Sequence, residues 1–372
     1  MTPGSPVVNE PFLLALPQAI VETSAEADYA VEFAILATRD PGSIAEAFTV
    51  AIERALSTSP ENVLFYRVSS GIVLGCTLAD GRSVVLKAHQ GDRTAEGLSM
   101  QRLVQHGALQ TGIDAPEPLL SPQSFGSGYL TFDSYLSAGV PVHTLPLPVD
   151  APETWANLRR LLAEQLIAIS DLPAPVDPNH CLTRISLLAP NSIYPVPHSP
   201  LFDFSTTAPG AEWIDAIATT ALANIRSIES TNPLPTITTH CDLRAENVHV
   251  SVDGSLLAAI WDWDSIETAS EAWHVGTSAR AFSLDFSRDN GMCTDIGIPT
   301  VGEMLAFIND CQTARGQKYS PAEYQATVAW MHHALAYSAR CEHALIGAGI
   351  PVRWTPTFAD RLRELQAADL LG

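Results

Sequence analysis

Apolar residues recur at three- and four-residue intervals through residues 11–58, most clearly in AEADYAVEFAILA and in SIAEAFTVAIERAL, which opens after an Asp-Pro-Gly breaker. This spacing predicts helices with one buried face. From about residue 63 the pattern shortens to strand-like pieces, VLFYRV, GIVLGCTL and SVVLKAH, with a turn at Asp80-Gly81. An antiparallel meander is the expected result. TAEGLSMQRLVQHGAL returns to helical spacing, and further strand-like sequence ends in YLTFDSYL. Beyond about residue 138 the chain reads as mostly helical, in WANLRRLLAEQLIAI, in AEWIDAIATTALANIRSI and across 301–370. A Pro-rich stretch from 173 to 209 interrupts it, long enough to be a functional or a flexible loop. The predicted organisation is α+β: a helical segment over 1–60, a β-rich lobe over 61–137 and a larger α-rich lobe over 138–372.

One stretch of the α-rich part breaks the helical texture: THCDLRAENVHVSVDGSLLAAIWDWDS, residues 239–265. VHVSV and SLLAAIW flank Asp253-Gly254, a pair suited to a two-residue type I′ turn because both positions tolerate positive φ. A hairpin there brings its outer ends together, so Asp242 and Asn247 converge with Asp262. Two carboxylates and an amide oxygen are hard ligands of the kind that suit Mg²⁺, whose remaining positions go to waters and phosphates.

His240-Cys241-Asp242-Leu243-Arg244-Ala245-Glu246-Asn247 resembles the H-x-D-x-x-x-x-N catalytic loop of the kinase-like superfamily, and Asp262-Trp263-Asp264 resembles its D-F-G metal motif. With the I-x-D-W-D form, the stretch is most similar to the aminoglycoside phosphotransferase and choline kinase branch. That resemblance implies a two-lobed protein-kinase-like fold, with a small antiparallel β-rich N-lobe and a larger α-helical C-lobe. It also implies a lysine on a strand of the small lobe and a glutamate on the following helix. The chain has two lysines; Lys87 ends SVVLK, and Glu96 is the one glutamate in the helical pattern after it. In such kinases the pair positions the nucleotide α and β phosphates. A strand-end lysine is otherwise simply solvated. The resemblance assigns Asp242 to the substrate hydroxyl proton, Asn247 and Asp262 to Mg²⁺, and His240 to bracing the loop. Arg244 either contacts the transferring phosphate or forms an ion pair with Glu246 or Asp264. Asp264 either orients Asp262 and the metal's waters or caps a helix.

The chain departs from the family at several points. No G-x-G-x-x-G lies over the phosphates; Ser69-Ser70-Gly71 is the candidate nucleotide-covering turn. Cys241 stands where small-molecule kinases have glycine and protein kinases arginine, and no A-P-E segment follows Asp262. A small-molecule acceptor is therefore expected, held in the α-rich lobe. Candidates are Trp330, His333, Tyr337 and Cys341, near one helical face by spacing, together with Glu271, Trp273 and His274 after the metal motif. Asn191, Tyr194 and Asp203 of the Pro-rich stretch are candidates to cover the site.

The expected activity is an ATP- or GTP-dependent O-phosphotransferase acting on an antibiotic, amino sugar or amino alcohol, with antibiotic resistance one outcome. A kinase-like binding protein without turnover and a protein kinase are the alternatives. A formal net charge of -21 argues against nucleic acid as a partner, and favours a cationic acceptor unless it serves solubility alone. The N-terminal stretch has no basic region and no apolar run long enough for a membrane span, and the six scattered cysteines read as reduced thiols. A cytoplasmic location follows as an expectation. Cys341 and His343 with His332 and His333 form a possible zinc cluster, with core or surface packing as the alternative.

Overall fold

The computed structural model describes residues 10–25, 28–91, 93–146, 150–172, 192–195, 197, 201–234, 236–288 and 294–368. The chain divides into two compact units: the first runs to His106 and includes Pro116–Ser137, the second comprises Gly107–Ala115 and everything from Ala138.

In the first unit three helices, α1 (Glu10–Ser24), α2 (Ala30–Leu36) and α3 (Pro41–Leu56), precede the sheet. The Asp-Pro-Gly breaker works as an N-cap: Asp40 Oδ2 accepts from the Ser43 N–H at 2.7 Å, and Pro41 supplies a first helical residue with no N–H to satisfy. Phe12, Leu16 and Ile20 of α1 share a core with Phe48 and Ile52 of α3 and with Ile72, Leu74, Leu86 and Phe132 of the strands. The helical segment before residue 60 and the sheet thus bury one another. Strands β1 (Pro60–Val68), β2 (Ile72–Leu78), β3 (Ser83–His89), β4 (Gln123–Phe125) and β5 (Gly128–Ser134) form an antiparallel sheet in the order β1-β2-β3-β5-β4. Helix α4 (Ala95–Gln110) is tied to β5 by Arg102, whose Nη1 meets Asp133 Oδ1 at 3.1 Å while Nε donates to the Leu120 carbonyl at 3.0 Å.

In the second unit, α9 (Pro321–Gly347) is the longest helix and packs against α6 (Glu212–Thr231), α7 (Glu271–Ala279) and α10 (Phe358–Ala367), while α5 (Pro152–Ser170) packs against α8 (Val301–Arg315). Helices α8, α9 and α10 each start with a reciprocal capping box, at Thr300/Glu303, Ser320/Glu323 and Thr357/Asp360. Two small sheets complete the unit. One is β6 (Val140–Pro141), β8 (Val248–Val250) and β9 (Leu257–Ile260) in the order β6-β8-β9; the other pairs β7 (Thr236–His240) with β10 (Ile266–Ser270).

The hairpin expected at Asp253-Gly254 forms, but not with a two-residue turn. Only Gly254 has a positive φ, 68°. The ladder closes at Ser251, whose N–H donates to the Leu256 carbonyl at 2.9 Å, so residues 252–255 make the loop. The reason is local: Asp253 Oδ1 accepts from the Ser255 N–H at 3.0 Å and from the hydroxyls of Ser251 and Ser255 at 2.6 and 2.7 Å. Such side-chain bonds offer Asp253 an ordinary turn conformation in place of a left-handed one.

Candidate active site

The stretch 241–265 is held at both ends by strand pairs. On one side Val248 lies opposite Ile260, and the Trp261 N–H donates to the Asn247 carbonyl at 2.8 Å. On the other, His240 lies opposite Ile266 in the β7–β10 pair. The loop carrying Asp242 and the turn carrying Asp262 therefore leave one pair of strands and enter the other side by side.

Within the loop, Asn247 Nδ2 donates to both the backbone carbonyl and the Oδ2 of Asp242, each at 2.8 Å. Both partners can only accept, so the amide nitrogen must face Asp242 and Oδ1 is left as an acceptor. Arg244 Nη2 lies 3.3 Å from Asp242 Oδ2 and 3.0 Å from Glu246 Oε2. Both neighbours of Asp242 thus use the same oxygen. Burial depresses the proton affinity of the Arg244 guanidinium, but the carboxylates of Asp242, Glu246, Asp262 and Asp285 more than offset it and hold the pKa above its ordinary value. Of the ion pairs expected for Arg244, the one with Glu246 forms, joined by one with Asp242.

Two neutral imidazoles brace the loop. His240 is buried with its Nε2 2.9 Å from the Trp261 carbonyl. A carbonyl only accepts, so Nε2 carries the proton and Nδ1 receives the Asp242 N–H at 3.4 Å, with Ser265 Oγ also 3.4 Å away. His274, on α7, holds the His240 carbonyl through Nε2 at 3.1 Å. Burial pushes the pKa of both rings down, that of His274 to about 3.

Asp262 adopts a left-handed conformation, φ 64° and ψ 42°, uncommon for a residue with a Cβ though aspartate takes it more readily than most. The ladders that fix Trp261 and Ile266 on either side hold it there. Asp264 lies inside the 3-10 turn Trp263–Ser265 and caps no α-helix, since β10 intervenes before α7 and the α7 cap is Ser270. The donors fit a hard divalent cation: the Asn247 Oδ1 left over by the amide's orientation and the Asp262 carboxylate are both hard oxygen ligands.

The first unit carries the other expected residues. Lys87 sits on β3 opposite Val73 and Thr131, half-buried in the middle of the sheet, and Glu96 is in the exposed first turn of α4. Ser69, Ser70 and Gly71 form the β1–β2 tip, where the Gln90 side chain donates to the Ser70 carbonyl at 2.7 Å. Gly71 passes so close to β3 that a Cβ would stand 2.6 Å from the Ala88 carbonyl oxygen.

The acceptor candidates separate. Trp273 and Trp330 are in a core cluster with Ile225, Ala326 and Ala329, so helix packing uses them, and Cys241 of the loop packs against that cluster. Glu271 accepts from Tyr319 Oη at 3.0 Å and lies 3.6 Å from Arg315 Nη1, which commits it to the α8–α9 junction. His333 contacts the Ile193 carbonyl through Nε2 at 2.7 Å, and Tyr337 packs against Tyr194 and Phe204 with ring centroids 6.0 Å apart in each case. Tyr194 donates to Asp215 at 2.9 Å, and Asp203 closes a turn by accepting from the Ser205 N–H at 2.9 Å. Asn191 lies outside the described residues. The imagined zinc cluster does not assemble: His332, His333 and His343 turn to three separate carbonyls, those of Val328, Ile193 and Pro209. Sequence reasoning missed Arg280, a basic residue at the end of α7 that no motif or spacing singles out.

No family model matches the sequence, and no curated protein matches it. Solved structures do. A thermostable mutant of aminoglycoside phosphotransferase APH(4)-Ia, in ternary complex with AMP-PNP and hygromycin B, matches 87% of this chain and 99% of its own at a TM-score of 0.53 and 14% identity. Amicoumacin kinase hAmiN, in complex with AMP-PNP, Ca²⁺ and Ami, matches over 86% of this chain and 91% of its own, at a TM-score of 0.51 and 12% identity. At these identities the likeness is one of fold. The chain shares the protein-kinase-like fold of these two structures, with an antiparallel sheet in its first unit and helices dominating its second.

Proposed function

We propose that the protein is an ATP- or GTP-dependent O-phosphotransferase that transfers the γ-phosphoryl group to a hydroxyl of a small polar molecule. The observation that carries the reading is the orientation of Asn247. Its amide nitrogen is spent on Asp242, which leaves one oxygen of each residue, Asn247 Oδ1 and Asp242 Oδ1, for other partners. A structural loop has no need of that division of labour.

In this reading Asp242 Oδ2 is held by Asn247 and Arg244, and Oδ1 receives the proton of the acceptor hydroxyl. The acceptor oxygen forms a bond to the γ-phosphorus as the bond to the β–γ bridging oxygen breaks, and the nucleoside diphosphate leaves. Asn247 and Asp262 hold Mg²⁺, which when bound neutralises charge on the phosphates. His240 and His274 keep the loop in place without exchanging protons, because both rings stay neutral near pH 7. Lys87 serves the nucleotide phosphates as a fixed positive charge, with Glu96 as the acidic residue of the following helix and the Ser69-Ser70-Gly71 tip as the covering turn. Arg244 balances the acidic loop and supplies positive charge where the phosphoryl group passes. His333 and Tyr337, on the face of α9 toward Ile193 and Tyr194, are the remaining candidates for acceptor contact. An antibiotic, amino sugar or amino alcohol suits this chemistry, and resistance is one role it would serve.

Thermal unfolding with ATP or GTP, each with and without Mg²⁺, tests the reading. A nucleotide at 100 times its dissociation constant stabilises the fold by about 2.7 kcal/mol. The native chain is expected to show a shift that depends on Mg²⁺, and Asp262→Asn to lose it. The absence of any nucleotide-dependent shift would reject the assignment.

A further inference from the structure

Arg280 follows α7, and its guanidinium is set into the second unit without a counter-ion of its own. Nη1 donates to Ser338 Oγ on α9 at 2.6 Å, and Nε is buried with no hydrogen-bond partner among the described residues. None of the described carboxylates lies within ion-pair distance of it. The charged groups that act on it are Arg244, which opposes its charge, and Asp242, which favours it. Asp242 is already engaged through Oδ2 by Arg244 and Asn247. The remaining neighbours, Tyr337, Cys341 and the Phe358 ring 5.9 Å away, do not neutralise it: a phenol is uncharged at pH 7, burial pushes the Cys341 thiol up to about 12, and an aromatic face carries no net charge. Burial and Arg244 bring the Arg280 pKa down to about 10, which still leaves it fully charged at neutral pH.

A desolvated guanidinium without a carboxylate partner is costly unless something that binds offsets it. Its planar donors match a carboxylate or a phosphate. We propose that Arg280, with Ser338 and Tyr337, forms an oxyanion-binding subsite in the α-rich unit, and that the phosphorylated molecule carries a carboxylate or phosphate group seated there. Describing that molecule as the acceptor rests on the phosphotransferase reading; the anion site does not. The inference also reverses the expectation from net charge, because in a molecule of formal charge -21 an anionic ligand needs such a local cation.

The test is isothermal titration of inorganic phosphate, and separately of acetate, into the full chain saturated with AMP-PNP and Mg²⁺. At least one anion is expected to bind, and the better of the two identifies the group. Arg280→Gln should weaken binding roughly ten-fold or more, as loss of a charge-assisted hydrogen bond does. Ser338→Ala should weaken it less, and Arg280→Lys should retain most of it. Unaltered affinity in Arg280→Gln, or no binding of either anion to the native chain, overturns the proposal. A purely structural arginine would show itself differently, by a lowered unfolding midpoint in anion-free buffer with anion affinity intact. If Arg280→Gln does not fold, Arg280→Lys and Ser338→Ala carry the comparison. Failure of the phosphotransferase reading would appear separately, as absent Mg²⁺-dependent nucleotide binding, since anion binding requires no turnover.

Discussion

At Asp242 the two neighbouring donors converge on one oxygen, and that asymmetry decides what the residue can do. Asn247 and Arg244 stabilise the carboxylate through Oδ2, so the other oxygen is held in place without being consumed. On the phosphotransferase reading, replacing Asp242 by Asn removes the base while keeping the shape of the loop. Turnover with an identified acceptor is expected to fall by about 10²- to 10⁴-fold, the usual range for a general base, with the Mg²⁺-dependent nucleotide shift in thermal unfolding retained. The residue types at 242, 247 and 262 are legible in the sequence, because H-x-D-x-x-x-x-N and D-W-D are local patterns. The choice of oxygen is not, since it depends on the amide of Asn247 meeting two acceptors at once. For the same reason helical spacing singles out Trp330, and position after the metal motif Trp273, but only packing shows that both lie in one core cluster against which Cys241 packs.

Elements place these residues by pairing. The hairpin was readable from Asp253-Gly254, although the serines on either side changed its turn. The β7–β10 pair was not read, because its two short strands lie on either side of the whole motif and neither declares its partner. Without it the His240–Ile266 side would be open and Asp262 would be held on one side only. In the first unit α4 depends on a comparable tie. Arg102 and Asp133 are both nearly buried, and Asp133 Oδ1 also accepts from Gln105 Nε2 at 3.1 Å. Arg102→Ala would leave that carboxylate in the interior with its charge uncompensated. A loss of about 3–5 kcal/mol is expected, the cost of breaking a buried ion pair by removing one member, measurable by urea unfolding against the native chain.

Across the molecule, histidines couple the fold to pH. His240, His249, His274, His332 and His333 all have pKa values lowered chiefly by burial. An unfolded imidazole takes up a proton near pH 6.5, whereas His274 in the fold does so only near pH 3. Between those values the unfolded chain binds more protons, so the contribution of these groups to stability is complete above about pH 6.5 and is lost as pH falls. The unfolding midpoint should therefore respond to acidification between pH 7 and 5 less steeply in His274→Gln than in the native chain. Glutamine can still donate to the His240 carbonyl, and the comparison cancels the general relief of acidic self-repulsion that both chains share. Equal slopes would show that His274 is not the ring held neutral.

The sequence by itself determined the first unit's succession of helices and strands, the hairpin around Asp253-Gly254 and the kinase-like motif pair, because periodicity, capping and turn preferences act over a few residues. It also carried Lys87 as a strand residue and Glu96 as a residue of the following helix. Only the tertiary structure decided which atoms remain available. Hydrogen bonds across the loop assigned the oxygens of Asp242 and Asn247, helix packing set Trp273 and Trp330 in one core cluster, and long-range burial left Arg280 charged without a carboxylate partner among the described residues. Desolvation and hydrogen-bond satisfaction are properties of a neighbourhood, and residues such as Arg280 and Ser338, 58 positions apart, become neighbours only when the chain has folded.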